Sequence, residues 1–403
     1  MLYFLLPKIH PSIYTKITSL PSEDTRTSLT KLSISHSLAY YLYNIKEKIK
    51  DREDEWDSYK KYTNPYEYIH TSVPYKKHSV AKYKPLSRAY FKMVEILELF
   101  HLHKIDSPIS TFHLAEGPGG FIEALAHLRN CKQDSYIGMT LLDPHSDDMI
   151  PAWKKTDHFL KEHPNVILEN GADGTGNILS LENLDYCKNK YGSSMNMITA
   201  DGGFDFSTDF NNQESNMSRL LFAQICFALC MQKTDGSFVL KMFDCFTEAT
   251  IDMLYLLSAS YKKVYITKPQ TSRYANSEKY IVCSGFIHES CDSIYPYIRN
   301  AFEKMNELPE HVNISRFLGQ PISHYFITRL EEYNAIFGQQ QIENIHATLS
   351  LMDHKQQKNE KIDAIVKANV QRCILWCNKY NVLTSSLFHL CTLKTPLTSS
   401  GEC

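Results

Sequence analysis

Short apolar runs alternate with helical patterns along the middle of the chain. Runs of strand length occupy residues 111–115, 136–142, 166–169, 195–200, 237–242, 263–267 and 279–284. Helical patterns such as 218–231 and 247–260 separate most of them. This alternation is typical of βαβ units, which build a mostly parallel sheet covered by helices on both faces. The loop 268–278 is too short for a helical crossover, so the seventh strand should run antiparallel.

The flanking segments have different patterns. Residues 1–80 are polar and rich in tyrosine, with a charged helical stretch at 46–61. Apolar positions with helical spacing predict an amphipathic helix at 87–100, and the pattern after about 291 is helical. We therefore predict an N-terminal region of unassigned role, an α/β domain and a helical C-terminal extension, at 1–80, 81–290 and 291–403.

Composition and charge narrow the function class only a little. The 403 residues contain 43 Lys and Arg against 45 Asp and Glu, which excludes a globally basic nucleic-acid coat but allows a local basic patch. No apolar run approaches the roughly 20 residues that span a bilayer, and the apolar start of the chain lacks the basic lead of a secretory signal. The 11 cysteines lack CxxC spacing. These features predict an intracellular protein with reduced thiols, no metal site and no membrane contact, in a nucleus or a cytoplasm, including a viral factory.

A glycine-rich turn follows the first predicted strand of the α/β domain. Such a turn lets a ligand approach the backbone and presents free N–H groups at a helix N-terminus. Its spacing differs from the GxGxxG pattern of dinucleotide-binding proteins, and the chain has no phosphate-binding GKS/T sequence. A tight structural turn remains an alternative. The turn and its flanks comprise Glu116, Gly117, Pro118, Gly119, Gly120 and Phe121.

Charged residues mark the ends of several predicted elements. Asp201 follows a buried strand, Lys241 ends another, Glu278 opens the last one, and Lys92 lies at the edge of the apolar face of helix 87–100. Each could be a solvated end or a simple ion pair, but open α/β sheets bind ligands at this edge. A shielded lysine near a second cation becomes a usable base, and carboxylates can hold it in position. The group could deprotonate a sugar hydroxyl for attack on a sulfonium methyl donor in the glycine turn.

Taken in order, these motifs resemble those of the FtsJ-like (RrmJ-type) RNA 2′-O-methyltransferases. The similarity is greatest to the cap-specific mRNA 2′-O-methyltransferases of eukaryotes and large DNA viruses, and it covers roughly residues 87–286. The matching segments are 87–92 with its terminal lysine, the GPGGF turn at 117–121, and 138–141, 200–203, 238–241, 268–273 and 276–278. The resemblance implies a Rossmann-like fold with a mostly parallel seven-stranded sheet, an antiparallel last strand and S-adenosylmethionine as cofactor.

The resemblance also implies roles for individual residues. The family's catalytic tetrad corresponds to Lys92, Asp201, Lys241 and Glu278, with Lys241 activating the ribose 2′-OH. The glycine turn, together with Asp201, would contact the methyl donor. Two positions depart from the family pattern. Asn177 replaces an expected aspartate near the adenine, where an amide can still pair with an amino group. His113 stands where the first strand often ends in Asp, which leaves Glu116 as the candidate substitute.

Candidate RNA contacts lie mainly before the predicted helix 87–100. Basic residues occur there without an intervening acid and are interleaved with tyrosines, a composition that suits phosphate neutralisation and base stacking. A solvated loop is the alternative. Trp153 is the candidate for stacking on a methylated cap guanine, against core packing. The predicted RNA-binding residues are Lys76, Lys77, Lys82, Lys84, Arg88, Trp153 and Arg273.

The resemblance predicts transfer of methyl from S-adenosylmethionine to the first transcribed nucleotide of capped mRNA. RNA is the expected partner, and a protein of the capping machinery is a possible one. A ribosomal or transfer RNA substrate remains open, as does a non-catalytic module that binds RNA or a protein partner on the same fold.

Overall fold

The computed structural model describes residues 2–21, 33–142, 152–203, 211–353 and 358–388. Its strands are β1 (Tyr3–Leu5), β2 (Ile17–Pro21), β3 (Ser110–Leu114), β4 (Ser135–Met139), β5 (Val166–Glu169), β6 (Met195–Ala200), β7 (Gln232–Met242), β8 (Tyr261–Thr267), β9 (Lys279–Phe286) and β10 (Ile314–Leu318). Its α-helices are α1 (His36–Lys50), α2 (Glu53–Thr63), α3 (Ala89–Phe100), α4 (Gly120–Arg129), α5 (Asp157–Glu162), α6 (Leu181–Tyr191), α7 (Gln213–Met231), α8 (Glu248–Ser260), α9 (Tyr295–Glu307), α10 (His324–Asp353) and α11 (Lys358–Lys379).

The main sheet has the strand order β1-β8-β9-β7-β6-β3-β4-β5. Strands β3 to β7 pair in parallel, and β9 runs antiparallel between β7 and β8. The predicted mostly parallel sheet with an antiparallel last strand is therefore confirmed. The structure adds an eighth strand, because β1 pairs antiparallel with β8 at the sheet edge. Its three residues are too few for a period-two pattern to identify.

The core lies between this sheet and helices that are apolar on every side. From Leu220 to Met231 every residue of α7 is buried, as are all the residues of α8 that follow Glu248. Helices that are apolar all round belong inside a protein, and strands covered on both faces read as continuous apolar runs, as in β6. This packing holds the strand ends in fixed positions.

The chain divides into two compact units. The first comprises Met1–Arg52 and Leu86–Ile345 and holds the main sheet. The charged stretch at 46–61 is not one helix, since α1 ends at Lys50 and α2 begins at Glu53 in the second unit. The predicted boundaries after residues 80 and 290 stay predictions.

The second unit comprises Glu53–Pro85 and His346–Cys403. In it α11 packs against a short 3-10 helix, Glu67–Ile69, and Asn369 of α11 donates to the carbonyl of Tyr62 at 2.8 Å. An isolated β-bridge joins Ala81 to Thr384. The unit therefore has its own core and its own long-range contacts.

None of the helices in the described ranges is long and apolar enough to cross a membrane. Over the same ranges, no group of three or more His, Cys, Asp or Glu side chains is arranged to hold a metal ion. The nine cysteines of those ranges are free thiols.

Candidate active site

Three of the four predicted tetrad residues come from neighbouring strands at one edge of the sheet. Asp201 follows β6 directly, Lys241 is the penultimate residue of β7, and Glu278 immediately precedes β9. The parallel strands β6 and β7 end at this edge and the antiparallel β9 begins there, so the topology gathers the three side chains. The fourth residue, Lys92, lies on α3.

The four side chains form two ion pairs. Lys241 Nζ donates to the backbone carbonyl of Asp201 at 2.7 Å and lies 3.1 Å from its Oδ1. Lys92 Nζ lies 2.8 Å from Glu278 Oε1 and 2.9 Å from Oε2. The lysine side chains are only 13% and 15% exposed, so solvent screens these pairs weakly.

Glu278 links the two ion pairs electrostatically. Burial alone would raise the pKa of its carboxyl group, but the positive charges of Lys92, Lys241 and Lys268 outweigh burial and lower the pKa to about 2. Glu278 is therefore ionised throughout the physiological pH range. It contacts Lys92 directly and interacts with the charge of Lys241 at longer range.

Two glycines allow these side chains to approach. A Cβ on Gly203 would lie 3.0 Å from Lys241 Nζ, so a side chain there would press on the ammonium group. A Cβ on Gly120 would lie 2.2 Å from Ser87 Oγ and 3.1 Å from the backbone nitrogen of Tyr90. The glycine turn therefore lets α3, which carries Lys92, pack closely against the start of α4.

The loop before Glu278 is fastened by buried polar groups that sequence reasoning missed. Ser272 Oγ donates to Glu278 Oε1 at 3.0 Å. Lys268 Nζ donates to the carbonyl and Oδ1 of Asn276 and to the carbonyl of Glu278, at 2.7 to 2.8 Å. Burial lowers the pKa of Lys268 to about 7. These contacts fix the backbone from which the Glu278 side chain projects.

Helix α3 holds the other end of the same loop. The buried carboxylate of Glu95 accepts the backbone N–H of Gln270 and the N–H and hydroxyl of Thr271, at 2.6 to 2.8 Å. Glu95 is a charged residue within the predicted helix 87–100. The sequence gives no sign that its partner is a loop 175 residues away. The same helix thus carries Lys92 and anchors the segment that carries Glu278.

A buried cluster of charge lies beside Lys241. Asp244 Oδ2 is 3.0 Å from Lys46 Nζ on α1, and its Oδ1 is 3.4 Å from Lys279 Nζ. Burial would raise the pKa of Asp244, but the two ammonium groups lower it. The N-terminal segment, which carried no readable chemistry in the sequence, therefore supplies a partner to the strand end next to the tetrad.

A cavity of about 40 Å³ adjoins this cluster. Glu214 lines it, and Oε1 of this residue also accepts the N–H groups of Phe246 and Thr247 at 2.9 and 2.8 Å. The cavity combines aromatic rings with carboxylates. Its lining residues are Ala39, Leu42, Tyr43, Lys46, Asn211, Glu214, Ser215, Asp244, Phe246 and Thr247.

The glycine turn begins α4, and Glu116 caps that helix. Glu116 Oε1 accepts the N–H of Phe121 at 2.7 Å and the N–H of Ile122 at 3.1 Å. Its second oxygen, Oε2, is buried and has no hydrogen-bond partner among the described residues. Burial and then the charge of Asp201 raise the pKa of Glu116 well above its usual range, although the two N–H groups and Lys241 oppose this. The turn thus places a buried carboxyl group with one unused oxygen close to the tetrad.

His113 belongs to the core and cannot serve as an anionic contact. Its Nε2 and Nδ1 form hydrogen bonds with the hydroxyls of Thr111 and Thr199 at 2.8 and 2.7 Å. Burial lowers its pKa to about 3, so the imidazole is neutral. Glu116 is therefore the better placed of the two residues to face a positive group.

Two further predicted contacts lie near the end of β4. The ring of Trp153 lies against Gly138 of β4, and its Nε1 is buried without a hydrogen-bond partner in the described ranges. Asn177 Oδ1 accepts the N–H of Leu179 at 2.9 Å, which orients the amide. The roles proposed for Trp153 and Asn177 stay predictions.

The predicted RNA-binding residues are divided between the two units. Arg88, Trp153 and Arg273 belong to the first unit, and Arg88 donates to the carbonyl of Thr271 at 3.3 Å. The four lysines belong to the second unit and are exposed: Lys76, Lys77, Lys82 and Lys84.

Lys76 and Lys77 lie in a tight turn. The N–H of Val73 donates to the carbonyl of His78 at 3.0 Å, and the N–H of Lys76 donates to the carbonyl of Val73 at 2.9 Å. Tyr75 at the tip has a left-handed backbone, with φ of 62°, and a fully exposed ring. The turn thus displays an aromatic ring next to two cations.

The chain is similar to known methyltransferases. The sequence profile of the FtsJ-like methyltransferase family matches residues 85–286. A cap-specific mRNA (nucleoside-2′-O-)-methyltransferase 2 of Pongo abelii is 29% identical over 346 residues, which cover 83% of this chain and 44% of the relative. A cap-specific mRNA (nucleoside-2′-O-)-methyltransferase 1 of Trypanosoma brucei brucei is 34% identical over 190 residues, which cover 46% of this chain and 50% of the relative. The chain thus spans half the length of these curated relatives or less.

A crystal structure of human methyltransferase-like protein 13 in complex with SAH is also similar. It is 11% identical, with a TM-score of 0.33, and the match covers 55% of this chain and 90% of that one.

Proposed function

We propose, from the premise that the chain belongs to the FtsJ-like methyltransferase family, that it transfers a methyl group from S-adenosylmethionine to a ribose 2′-OH of RNA. The proposed substrate is the first transcribed nucleotide of capped mRNA. The observation that carries the proposal is the pair of lysine–carboxylate contacts, Lys241 with Asp201 and Lys92 with Glu278, at the edge of the sheet.

In this proposal Lys241 acts on the ribose hydroxyl. A hydrogen bond to the backbone carbonyl of Asp201 and an ion pair with its Oδ1 hold the Lys241 Nζ in position. In its neutral form Lys241 accepts the hydroxyl proton as O2′ attacks the methyl carbon. Lys92, Asp201 and Glu278 orient Lys241 and the substrate, and Lys92 and Glu278 hold each other by an ion pair. The donor supplies a methyl group on a positively charged sulfur, which leaves as a neutral thioether.

The donor's chemistry fits the residues of the glycine turn. S-adenosylmethionine carries a sulfonium and an ammonium group, and a buried carboxylate oxygen without a partner suits a positive group. Glu116 Oε2 is such an oxygen in the described part of the chain, and the charge of Asp201 lies near it. The proposed donor contacts are Glu116, Gly117, Pro118, Gly119, Gly120, Phe121, Asn177 and Asp201.

The names of the relatives support a capped substrate. A methylated guanine is a positively charged ring, and such rings stack on aromatic side chains. Trp153 is the candidate for this contact.

The exposed lysines of the second unit are proposed to bind the RNA backbone. Lys76 and Lys77 directly follow Tyr75, which has an exposed ring on which a base can stack. Binding of this kind releases counterions from the RNA. It weakens as the salt concentration rises, because that release then gains less free energy.

The test is methyl transfer from labelled S-adenosylmethionine to matched short RNAs with and without an N7-methylguanosine cap. Lys241→Ala is expected to lower the rate about 100-fold or more while donor affinity stays unchanged, since general-base catalysis contributes at least this factor. Lys262→Ala, which removes an exposed lysine paired with Asp235, is the control and should retain full activity.

The outcomes of this test favour different functions. Activity confined to capped RNA supports the proposal. Equal activity on both RNAs would favour a ribosomal or transfer RNA substrate. Donor binding without transfer to either RNA would favour a binding module or a chain that needs a capping-machinery partner. If Lys241→Ala lost donor affinity and rate to the same extent, its assigned role would be wrong.

A further inference from the structure

Tyr280 is a neighbour of the tetrad but is not one of its four residues. It belongs to β9, two residues after Glu278, and pairs directly with Lys241 of β7. Directly opposed residues of antiparallel strands project to the same face of the sheet. The Tyr280 ring centroid is also 6.0 Å from that of Phe121 in the glycine turn. Tyr280 therefore stands between the tetrad and the turn.

The hydroxyl of Tyr280 is buried and lacks a well-formed hydrogen bond within the described residues. Burial and then the negative charges of Glu278 and Asp201 raise its pKa well above its usual range, and a hydrogen-bond interaction with Glu278 and the charge of Glu116 add smaller contributions. The hydroxyl therefore keeps its proton and has lone pairs that no described donor uses. A buried polar group in this state destabilises a folded chain, so it calls for an explanation.

A second unused oxygen lies within electrostatic range of this hydroxyl. Glu116 Oε2 is likewise buried without a partner in the described ranges. The charges that act on Glu116 are those of Asp201 and Lys241. Burial and Asp201 therefore oppose ionisation of Glu116 in the free chain. A positive group placed at the two oxygens would favour the ionised carboxylate and would use both oxygens.

We propose that Tyr280 Oη and Glu116 Oε2 together bind a positively charged group of the methyl donor, an inference that rests on the proposed function. The Tyr280 oxygen accepts from or faces the cation while its proton points to a neighbouring carboxylate. The donor carries two such groups, the ammonium of its methionine part and the sulfonium, and both share this chemistry. Tyr280 is then a donor contact outside the tetrad.

This role predicts opposite effects on stability and on binding. Without donor, Tyr280→Phe removes from the interior a hydroxyl that interacts with Glu278 but lacks a well-formed hydrogen bond, so the melting temperature should stay the same or rise. With donor, the same change removes a contact, so affinity should fall. A merely structural hydroxyl would lower stability and leave donor affinity alone.

The experiment measures the melting temperature of the free chain and, by calorimetry, the affinity for S-adenosylmethionine and for S-adenosylhomocysteine. Tyr136→Phe is the matched control, because the buried Tyr136 hydroxyl donates to Asp134 at 2.8 Å. That control should melt at a lower temperature with unchanged affinity. Tyr280→Phe should melt no lower than the wild type and bind the donor about fivefold or more weakly, the loss of one good hydrogen bond.

The two compounds distinguish the two cationic groups. An equal loss for both would assign the contact to the ammonium, which both carry, whereas a larger loss for S-adenosylmethionine would assign it to the sulfonium. Glu116→Gln replaces the unused acceptor by an amide donor and should lose affinity for the same compound.

Unchanged donor affinity in Tyr280→Phe would overturn the inference, whatever its melting temperature. Neither measurement requires methyl transfer. If the chain binds the donor through Tyr280 but methylates no RNA, the inference stands and the proposed function is wrong. A wild-type chain that binds neither compound would lose both.

Discussion

Lysines at the sheet edge and lysines in the second unit differ in burial and pairing. Lys92 and Lys241 have side chains that are 13% and 15% exposed, and each contacts a carboxylate at about 3 Å. Lys76, Lys77 and Lys82 are exposed, and the turn that carries the first two also displays an aromatic ring. Buried charge needs its partner and fixes geometry, whereas exposed charge acts at a distance and yields to salt. The same residue type is therefore suited to fixed positioning in one region and to long-range attraction in the other.

The largest expected effect comes from removing a carboxylate that two buried lysines share. Asp244→Ala leaves Lys46 and Lys279 without their partner, and an unpaired buried charge costs about 3–5 kcal/mol of the free energy of unfolding. Denaturant titration measures this loss. The control is Asp235→Ala, which breaks an exposed pair with Lys262 and should cost about 0.5 kcal/mol. Equal losses of the free energy of unfolding in both variants would contradict the difference between buried and exposed ion pairs.

Acid provides the next effect, through Glu278. Its folded pKa of about 2 lies below the unfolded value of about 4.3, so the folded state binds fewer protons than the unfolded state between these limits. The group therefore contributes stability above about pH 4.3 that is lost as pH falls towards 2, at most about 3 kcal/mol. The free energy of unfolding of wild type and Glu278→Gln, measured from pH 6 to pH 2.5, should converge as pH falls. A constant difference would mean that Glu278 is not held ionised by its lysines.

The sequence was sufficient to predict that charged residues at strand ends lie together, because the topology of a parallel sheet brings those ends to one edge. Asp201 and Lys241 interrupt apolar runs at the points where parallel strands end, and a parallel sheet brings such ends together. Strands β5 and β6 have the predicted bounds. The features that could be predicted are local ones: the hydrophobic periodicity, the ends of strands and the glycine turn.

Contacts between distant segments could not be predicted in this way. Lys46 meets Asp244 across 198 residues, and Glu95 meets Thr271 across 176. A charged residue in a helical pattern normally indicates a solvated face, so both looked ordinary in the sequence. Their burial depends on which segment packs above them. Strand β1 escaped prediction for the same reason, because only its pairing with β8 makes it a strand.

The smallest expected effect is on RNA binding by the exposed lysines. Replacing Lys76, Lys77, Lys82 and Lys84 with Ala should weaken RNA binding about 100-fold or more at 50 mM salt, and the loss should shrink as salt rises. Each phosphate contact contributes about 0.7 to the slope of log affinity against log salt for single strands, so four contacts would flatten it by about 3. Affinity for a short labelled RNA, measured from 50 to 300 mM salt by fluorescence anisotropy, gives the slope.

Salt separates this effect from any change in folding. The four lysines are exposed, so the melting temperature of the fourfold variant should match that of the wild type. Asp244→Ala should retain the wild-type salt slope at a temperature where it is folded, because its partners Lys46 and Lys279 are buried. An unchanged slope in the fourfold variant would mean that these lysines belong to a solvated loop that does not bind RNA. Arg88 and Arg273 of the first unit would then be the next residues to replace.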